Sequence, residues 1–190
     1  MSRNLIVAAL LGLSLSACTG LFSTVFGQDN PGLFVHVEPH YRLPFANSRN
    51  HHLLVQGVGG RFSHTDSGAW AFDWSMPTGT PVLAARDGVV SSLRIGPEDR
   101  SLPLEKRPSN FVRVRHGDGT IACYAHLDSV CVVVKQRIQT GEQLGWSGNT
   151  GFSTQPHLHF QVESGTVTIP ISFVDVDDPA GIPRAGRFYP

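Results

Sequence analysis

The stretch NFVRVRHGDGTIACYAHL, residues 110–127, decides how this chain folds. Gly117, Asp118 and Gly119 form a Gly-Asp-Gly junction of the kind that closes a tight hairpin, and the residues on either side of it alternate in character. The expected strands run from Phe111 to His116 and from Thr120 to Leu127, with successive side chains pointing to opposite faces. Along the second strand, that period puts Ile121, Cys123, Ala125 and Leu127 on one face and Tyr124 and His126 on the other.

The flanking segments have the same pattern. HHLLVQGV (51–58), PVLAARDGVVSSLRI (81–95), VCVVVKQRI (130–138), EQLGWSG (142–148) and HLHFQVES (157–164) are short and rich in β-branched and aromatic residues. Gly, Asp, Asn or Pro separates them, which predicts strands joined by turns. No long amphipathic helix, internal repeat or heptad is visible, so the fold class is all-β, a compact antiparallel sheet or sandwich. GPEDRSLPLEKRPS (96–109) carries three prolines and mixed charges between two strands, and is expected to be a surface loop.

At 190 residues the chain can bury a core of its own. Its 15 basic and 15 acidic residues cancel and no basic run occurs, which argues against a nucleic-acid partner. Nine histidines against three tyrosines hint at metal or acid–base chemistry.

The amino terminus, MSRNLIVAALLGLSLSACTG, has Arg3 ahead of an apolar run from Leu5 to Ala17 that is too short to span a bilayer. Small residues precede Cys18, and LSAC resembles a bacterial lipobox, which implies removal of residues 1–17 and lipidation of Cys18. The acyl chains would anchor the protein to a membrane, at about 0.8 kcal/mol per buried methylene. Thr19, where Asp is absent, favours the outer membrane by the same resemblance. Export also leaves open whether Cys123 and Cys131 form a disulfide or remain free thiols.

In HLHFQVES, Leu158, Phe160 and Val162 alternate with His157, His159, Gln161 and Glu163, so both imidazoles face one way. A solvated strand face explains such a pair as well as a site does, and partners decide between the two. Catalytic zinc takes three His or carboxylate ligands and keeps a fourth position open. The candidates besides His159 are His64 and Asp73 in SHTDSGAWAFDWSMPTGTPV (63–82), with Asp66 as a nearer carboxylate, and His126 in CYAHL (123–127). His36, His40, His51, His52 and His116 have no motif context, whereas Trp146, Asn149 and Thr150 are candidates for the rim of a groove.

Four blocks in order, SHTDSGAWAFDW, PTGTPVLAARDGVV, YAHL and GEQLGWSGNTGFSTQPHLHFQVE, resemble the lysostaphin/LytM-type zinc metallo-endopeptidases that cleave peptidoglycan peptides. The resemblance covers roughly residues 50 to 175. It implies the LytM-like, duplicated-hybrid-motif fold and one Zn2+ per chain held by His64, Asp73 and His159. It also implies that His126 and His157 stand beside the activated water, with the choice of general base between them open. One departure is that eight residues intervene between His64 and Asp73, more than in many members. The AFDW context of Asp73 resembles a subgroup with the longer spacing, and Asp66 is the alternative ligand.

The expected organisation is a lipoprotein signal at 1–17, a tether at 18–45, the metallopeptidase domain at 46–175 and C-terminal coil at 176–190. The function implied is hydrolysis of peptide bonds in peptidoglycan stems or cross-links, D-alanyl cross-links in particular, in the periplasm of a Gram-negative bacterium. The alternatives are a catalytically silent LytM-like module that binds or activates another wall hydrolase, and a peptidase acting on proteins. Silent modules typically lack ligand residues, and this chain lacks none.

Overall fold

The computed structural model describes residue 37, residues 41–46 and residues 51–190. The signal segment, Cys18, His36 and His40 lie outside these residues. The described strands are β1 (His52–Gln56), β2 (Ala71–Ser75), β3 (Pro81–Leu83), β4 (Gly88–Arg94), β5 (Phe111–Arg115) and β6 (Ile121–Ala125). They continue with β7 (Leu127–Val130), β8 (Arg137–Ile138), β9 (Gln143–Ser147), β10 (His157–Ser164), β11 (Val167–Thr168) and β12 (Phe188–Tyr189). The only helical pieces among the described residues are 3-10 turns at Asp66–Gly68 and Leu104–Lys106.

The hairpin closes as expected. β5 and β6 pair from Phe111↔Ala125 to Arg115↔Ile121, His116 N–H donates to Thr120 O, and Gly119 takes the left-handed φ of 87° that the turn requires. Around it a large antiparallel sheet runs in the order β12-β1-β2-β10-β6-β5-β4-β8, with β11 added to β10. A smaller sheet is ordered β3-β9-β7.

One apolar cluster joins the two sheets. Leu158, Phe160 and Val162 of β10 pack with Phe72 and Trp74 of β2, Tyr124 of β6, and Val82, Leu127 and Leu144 of the small sheet. The opposite face of β10 carries His157, His159 and Gln161, all only partly buried. The sequence alternation along β10 is therefore the division between core and site.

Three expectations change. Tyr124 and His126 do not share a face: Tyr124 is buried, with its hydroxyl accepting from Ala85 N–H, whereas His126 turns to the side of Cys123 and Ala125. His126 has φ 64° and sits at the break between β6 and β7, so the period of two ends one residue before it. VCVVVKQRI is not one strand either, since residues 131–136 form the passage from β7 in the small sheet to β8 in the large one. Lys135 is left-handed there and Val133 and Val134 are left exposed. PVLAARDGVVSSLRI likewise divides into β3 and β4, one in each sheet.

The core also takes in Tyr41, Leu43 and Phe45 from the stretch expected to be a tether, and Ile182 and Tyr189 from the stretch expected to be coil. His52↔Tyr189 pairing makes Phe188–Tyr189 an edge strand on β1. Tail residues reach the core through long-range contacts that no local period reports. Cys123 and Cys131 are both free thiols, the first buried and the second exposed.

Candidate metal centre

The antiparallel register of β2 and β10 sets His159 directly opposite Asp73, and on the other side of Asp73 β1 contributes Gln56. Three side chains from three neighbouring strands thus form a row across the sheet. Asp73 Oδ1 lies 2.8 Å from His159 Nδ1. Gln56 Nε2 donates to Asp73 Oδ2 at 2.8 Å, while its Oε1 accepts from the backbone N–H groups of Phe62 and Ser63. Gln56 therefore ties Asp73 to the loop that delivers the third ligand.

That loop carries His64, which is 1% exposed. Its Nδ1–H donates to Gly57 O at 2.9 Å. A carbonyl only accepts, so Nδ1 carries a proton, and Nε2 is the nitrogen turned toward Asp73. Nε2 is 3.2 Å from Asp73 Oδ2, yet it is buried with no hydrogen-bond partner. With a neutral ring, two buried acceptors would face each other at that distance, an arrangement that a cation held between them would relieve.

The donor atoms of His64, Asp73 and His159 all lie within 4.8 Å of one another. Two imidazole nitrogens and one carboxylate, with room left for water, are the donor set of a catalytic zinc site. Asp66 does not join them; it is exposed in the 3-10 turn. The eight residues between His64 and Asp73 are accommodated because the chain makes that turn before entering β2.

Burial pushes the Asp73 carboxyl upward, but the His64 and His159 imidazoles outweigh it and hold the carboxyl well below its usual range. Burial pushes His159 down, and its bonds to Asp73 and Gln161 outweigh that and raise it. A metal must therefore displace a proton from His159 Nδ1, while Asp73 is already ionised. Zinc uptake by stripped protein is expected to weaken as pH falls through a pKa above the ordinary histidine value, by about tenfold per pH unit below it. A zinc titration against pH checks this; an affinity flat between pH 6 and 8 would contradict it.

His126 and His157 stand beside the triad, with ring centroids 4.5 Å apart. His126 Nδ1–H donates to Thr150 O at 2.7 Å. His157 Nδ1 is 2.9 Å from both Gln155 O and Ser153 Oγ, and the Ser153 hydroxyl can spend its own proton on Asn149 Oδ1. Each ring thus keeps Nδ1 protonated and turns Nε2 away from those carbonyls. His157 Nε2 is 3.9 Å from Asp73 Oδ1. Burial, followed by the neighbouring His157 and His159, pushes His126 down to about 3, so this ring is neutral.

The turn at Gly148–Ser153 holds His126 in place. Thr150 Oγ1 donates to Leu127 O and accepts from Asn110 N–H, and Ser109 Oγ accepts from His126 N–H. Gly151 is left-handed at φ 79°, and a Cβ there would lie 2.5 Å from Ser109 Cβ. Gly151→Ala is expected to cost at least about 1 kcal/mol from the backbone alone, and more from the clash, measurable by denaturant unfolding. Trp146, by contrast, does not line the cleft.

Asp73, His126, His157 and His159 lie along a cleft of about 560 Å³ whose other walls include Ser109, Cys123, Gln155 and Gln161, with His64 buried behind Asp73. Among the described residues no Lys or Arg lines it. At its rim Phe62 and Phe152 stack with ring centroids 5.8 Å apart, although 63% and 43% exposed. Gln56, Ser109, Ser153 and Gln161 were not singled out in the sequence. Only Gln161 had a visible signal, its place on the polar face of the HxH strand.

Residues 67–170, more than half of the chain, match the family model for Peptidase family M23. The chain belongs to peptidase family M23. The match contains Asp73, His126, His157 and His159 and begins just after His64. The chain is 38% identical over 90 residues to the peptidoglycan DD-endopeptidase ShyA of Vibrio cholerae, covering 47% of this chain and 19% of that protein. It is 36% identical over 104 residues to the DD-carboxypeptidase/endopeptidase Mpg of Neisseria meningitidis, covering 53% and 21%. The chain thus spans about a fifth of the length of these curated relatives. A zinc containing peptidase from Vibrio cholerae has the same fold, with a TM-score of 0.53, 24% identity, and coverage of 70% of this chain and 39% of that one.

Proposed function

We propose that this M23 chain is a zinc-dependent endopeptidase that hydrolyses peptide bonds in peptidoglycan, with D-alanyl cross-links as its target. The observation that carries this is the convergence of His64, Asp73 and His159, flanked by two imidazoles whose Nδ1 atoms are tied to backbone carbonyls, which leaves each Nε2 free for chemistry. Zinc held by the triad supplies Lewis acidity that activates water near neutral pH and polarises a carbonyl.

The remaining steps fall to the chain's own residues. His126 and His157 accept the proton of the attacking water through Nε2 and return it to the leaving amine. Their Nδ1–H bonds to Thr150 and Gln155 hold both rings in that tautomer throughout. Asp73 keeps its position through Gln56 and contributes the one negative charge among the ligands. A described cleft lining rich in uncharged side chains such as Val55, Ser109, Ala125 and Phe152 suits an uncharged, short-side-chain segment such as a D-alanyl peptide.

The naming of the two relatives as peptidoglycan endopeptidases supports the substrate class. The apolar leader and LSAC sequence support export and acylation of Cys18, and with it a periplasmic enzyme tethered to the outer membrane. Incubating the purified protein with muropeptides and identifying products by mass spectrometry tests the reading. New amine termini at D-alanyl bonds are expected. Intact muropeptides alongside a stimulated partner hydrolase would instead favour the non-enzymatic module.

A further inference from the structure

His159 is the ligand whose metal-binding nitrogen is not fixed by a backbone carbonyl. His64, His126 and His157 each have a main-chain acceptor for Nδ1–H within 2.9 Å. His159 must do the reverse, keeping its proton on Nε2 so that Nδ1 faces Asp73 and the metal. Among the described residues, Nε2 meets Gln161 Oε1, at 2.8 Å.

An amide side chain can present either its oxygen or its NH2 group, so Gln161 alone does not settle the tautomer. Glu163 does. Gln161 Nε2 donates to Glu163 Oε1 at 2.5 Å, and a carboxylate only accepts, so the Gln161 NH2 must point there and its oxygen toward His159. Arg113 Nη2 donates to the same Glu163 oxygen at 3.2 Å, so that oxygen accepts from both sides. The sheet builds this chain of polarity. Gln161 and Glu163 are two apart on β10, and Gln161 lies across Cys123 from Arg113 in adjoining strands.

We propose that Gln161, oriented by Glu163 and Arg113, is a positioning residue that keeps the His159 proton on Nε2 and so reserves Nδ1 for the metal. This rests on the metal-centre reading above. The relay also makes His159 a stronger donor, because a carboxylate-backed acceptor draws on its N–H.

The test is zinc affinity, measured on the purified protein by competition with a chromophoric chelator, together with long-range 1H–15N spectra of the zinc-loaded protein. Gln161→Leu keeps the bulk and removes the acceptor, and is expected to weaken zinc binding by about 10- to 100-fold. Wild-type spectra should place the His159 proton on Nε2. The double variant Gln161→Glu with Glu163→Gln restores an acceptor facing His159 and reverses only the lower bond, so it should recover most of the lost affinity. An affinity unchanged in Gln161→Leu overturns the proposal. So does a double variant as weak as the single one, since the affinity would then not depend on an acceptor facing His159. Wild-type protein that binds zinc no better than Asp73→Asn would bring down the metal-centre reading itself, and this inference with it.

Discussion

Asp73→Asn is expected to reduce zinc from one per chain to near none and to slow muropeptide hydrolysis by about 10³-fold, the rate equivalent of several kcal/mol of lost charge stabilisation. The replacement keeps the shape of a side chain that is almost fully buried between His64, His159 and Gln56, so packing is preserved. What it removes is the one negative charge in the triad and the attraction that brings a cation between His64 Nε2 and its facing acceptor. Metal analysis, activity and circular dichroism on the same preparation separate ligand loss from unfolding. If Asp73→Asn retained its zinc and Asp66→Asn lost it, the carboxylate ligand would be Asp66 after all.

The second large effect has the opposite metal signature. His126→Ala and His157→Ala should each lower the hydrolysis rate by about 10²- to 10⁴-fold, the usual contribution of a positioned acid–base group, with zinc content unchanged. Neither ring belongs to the triad, and each is oriented from outside it, His126 by Thr150 and His157 by Gln155 and Ser153. Rate against pH for the two variants identifies the general base, since loss of the base removes the acid limb of the profile. Zinc loss in either variant would move that residue into the ligand set.

These two outcomes depend on an assignment that the sequence supported unevenly. That His157 and His159 share a face with Gln161 follows from a period of two, and the burial along β10 repeats it. The Gly-Asp-Gly turn and its two strands were equally plain, because glycine and alternation are local signals. His126 was identified by its YAHL block and given the wrong face. A single left-handed residue reverses a strand's alternation, and nothing in CYAHL announces φ 64° at His126. VCVVVKQRI misled for a related reason: β-branched residues favour strands, but here the chain has to cross from one sheet to the other.

The supporting residues were invisible for a different reason. Gln56 ends one strand, and Ser109 closes a loop whose base is held by Arg94 and Gly96 bonding to Asn110 Oδ1. Each acts through a partner far away in sequence, and side-chain hydrogen bonds leave no periodic trace.

By itself the sequence determined that the chain is built of short antiparallel strands, that one of them carries two imidazoles on its polar face, and that the ligand-type residues of a zinc peptidase stand in order. Those are properties of local period, turn chemistry and motif. Only the tertiary structure decided that Asp73 rather than Asp66 meets His159 and that His64 turns its Nε2 toward it. It also decided that Glu163 sets the polarity of Gln161. Each of these depends on strand register and on the direction of individual N–H groups, which exist only once β1, β2 and β10 lie side by side.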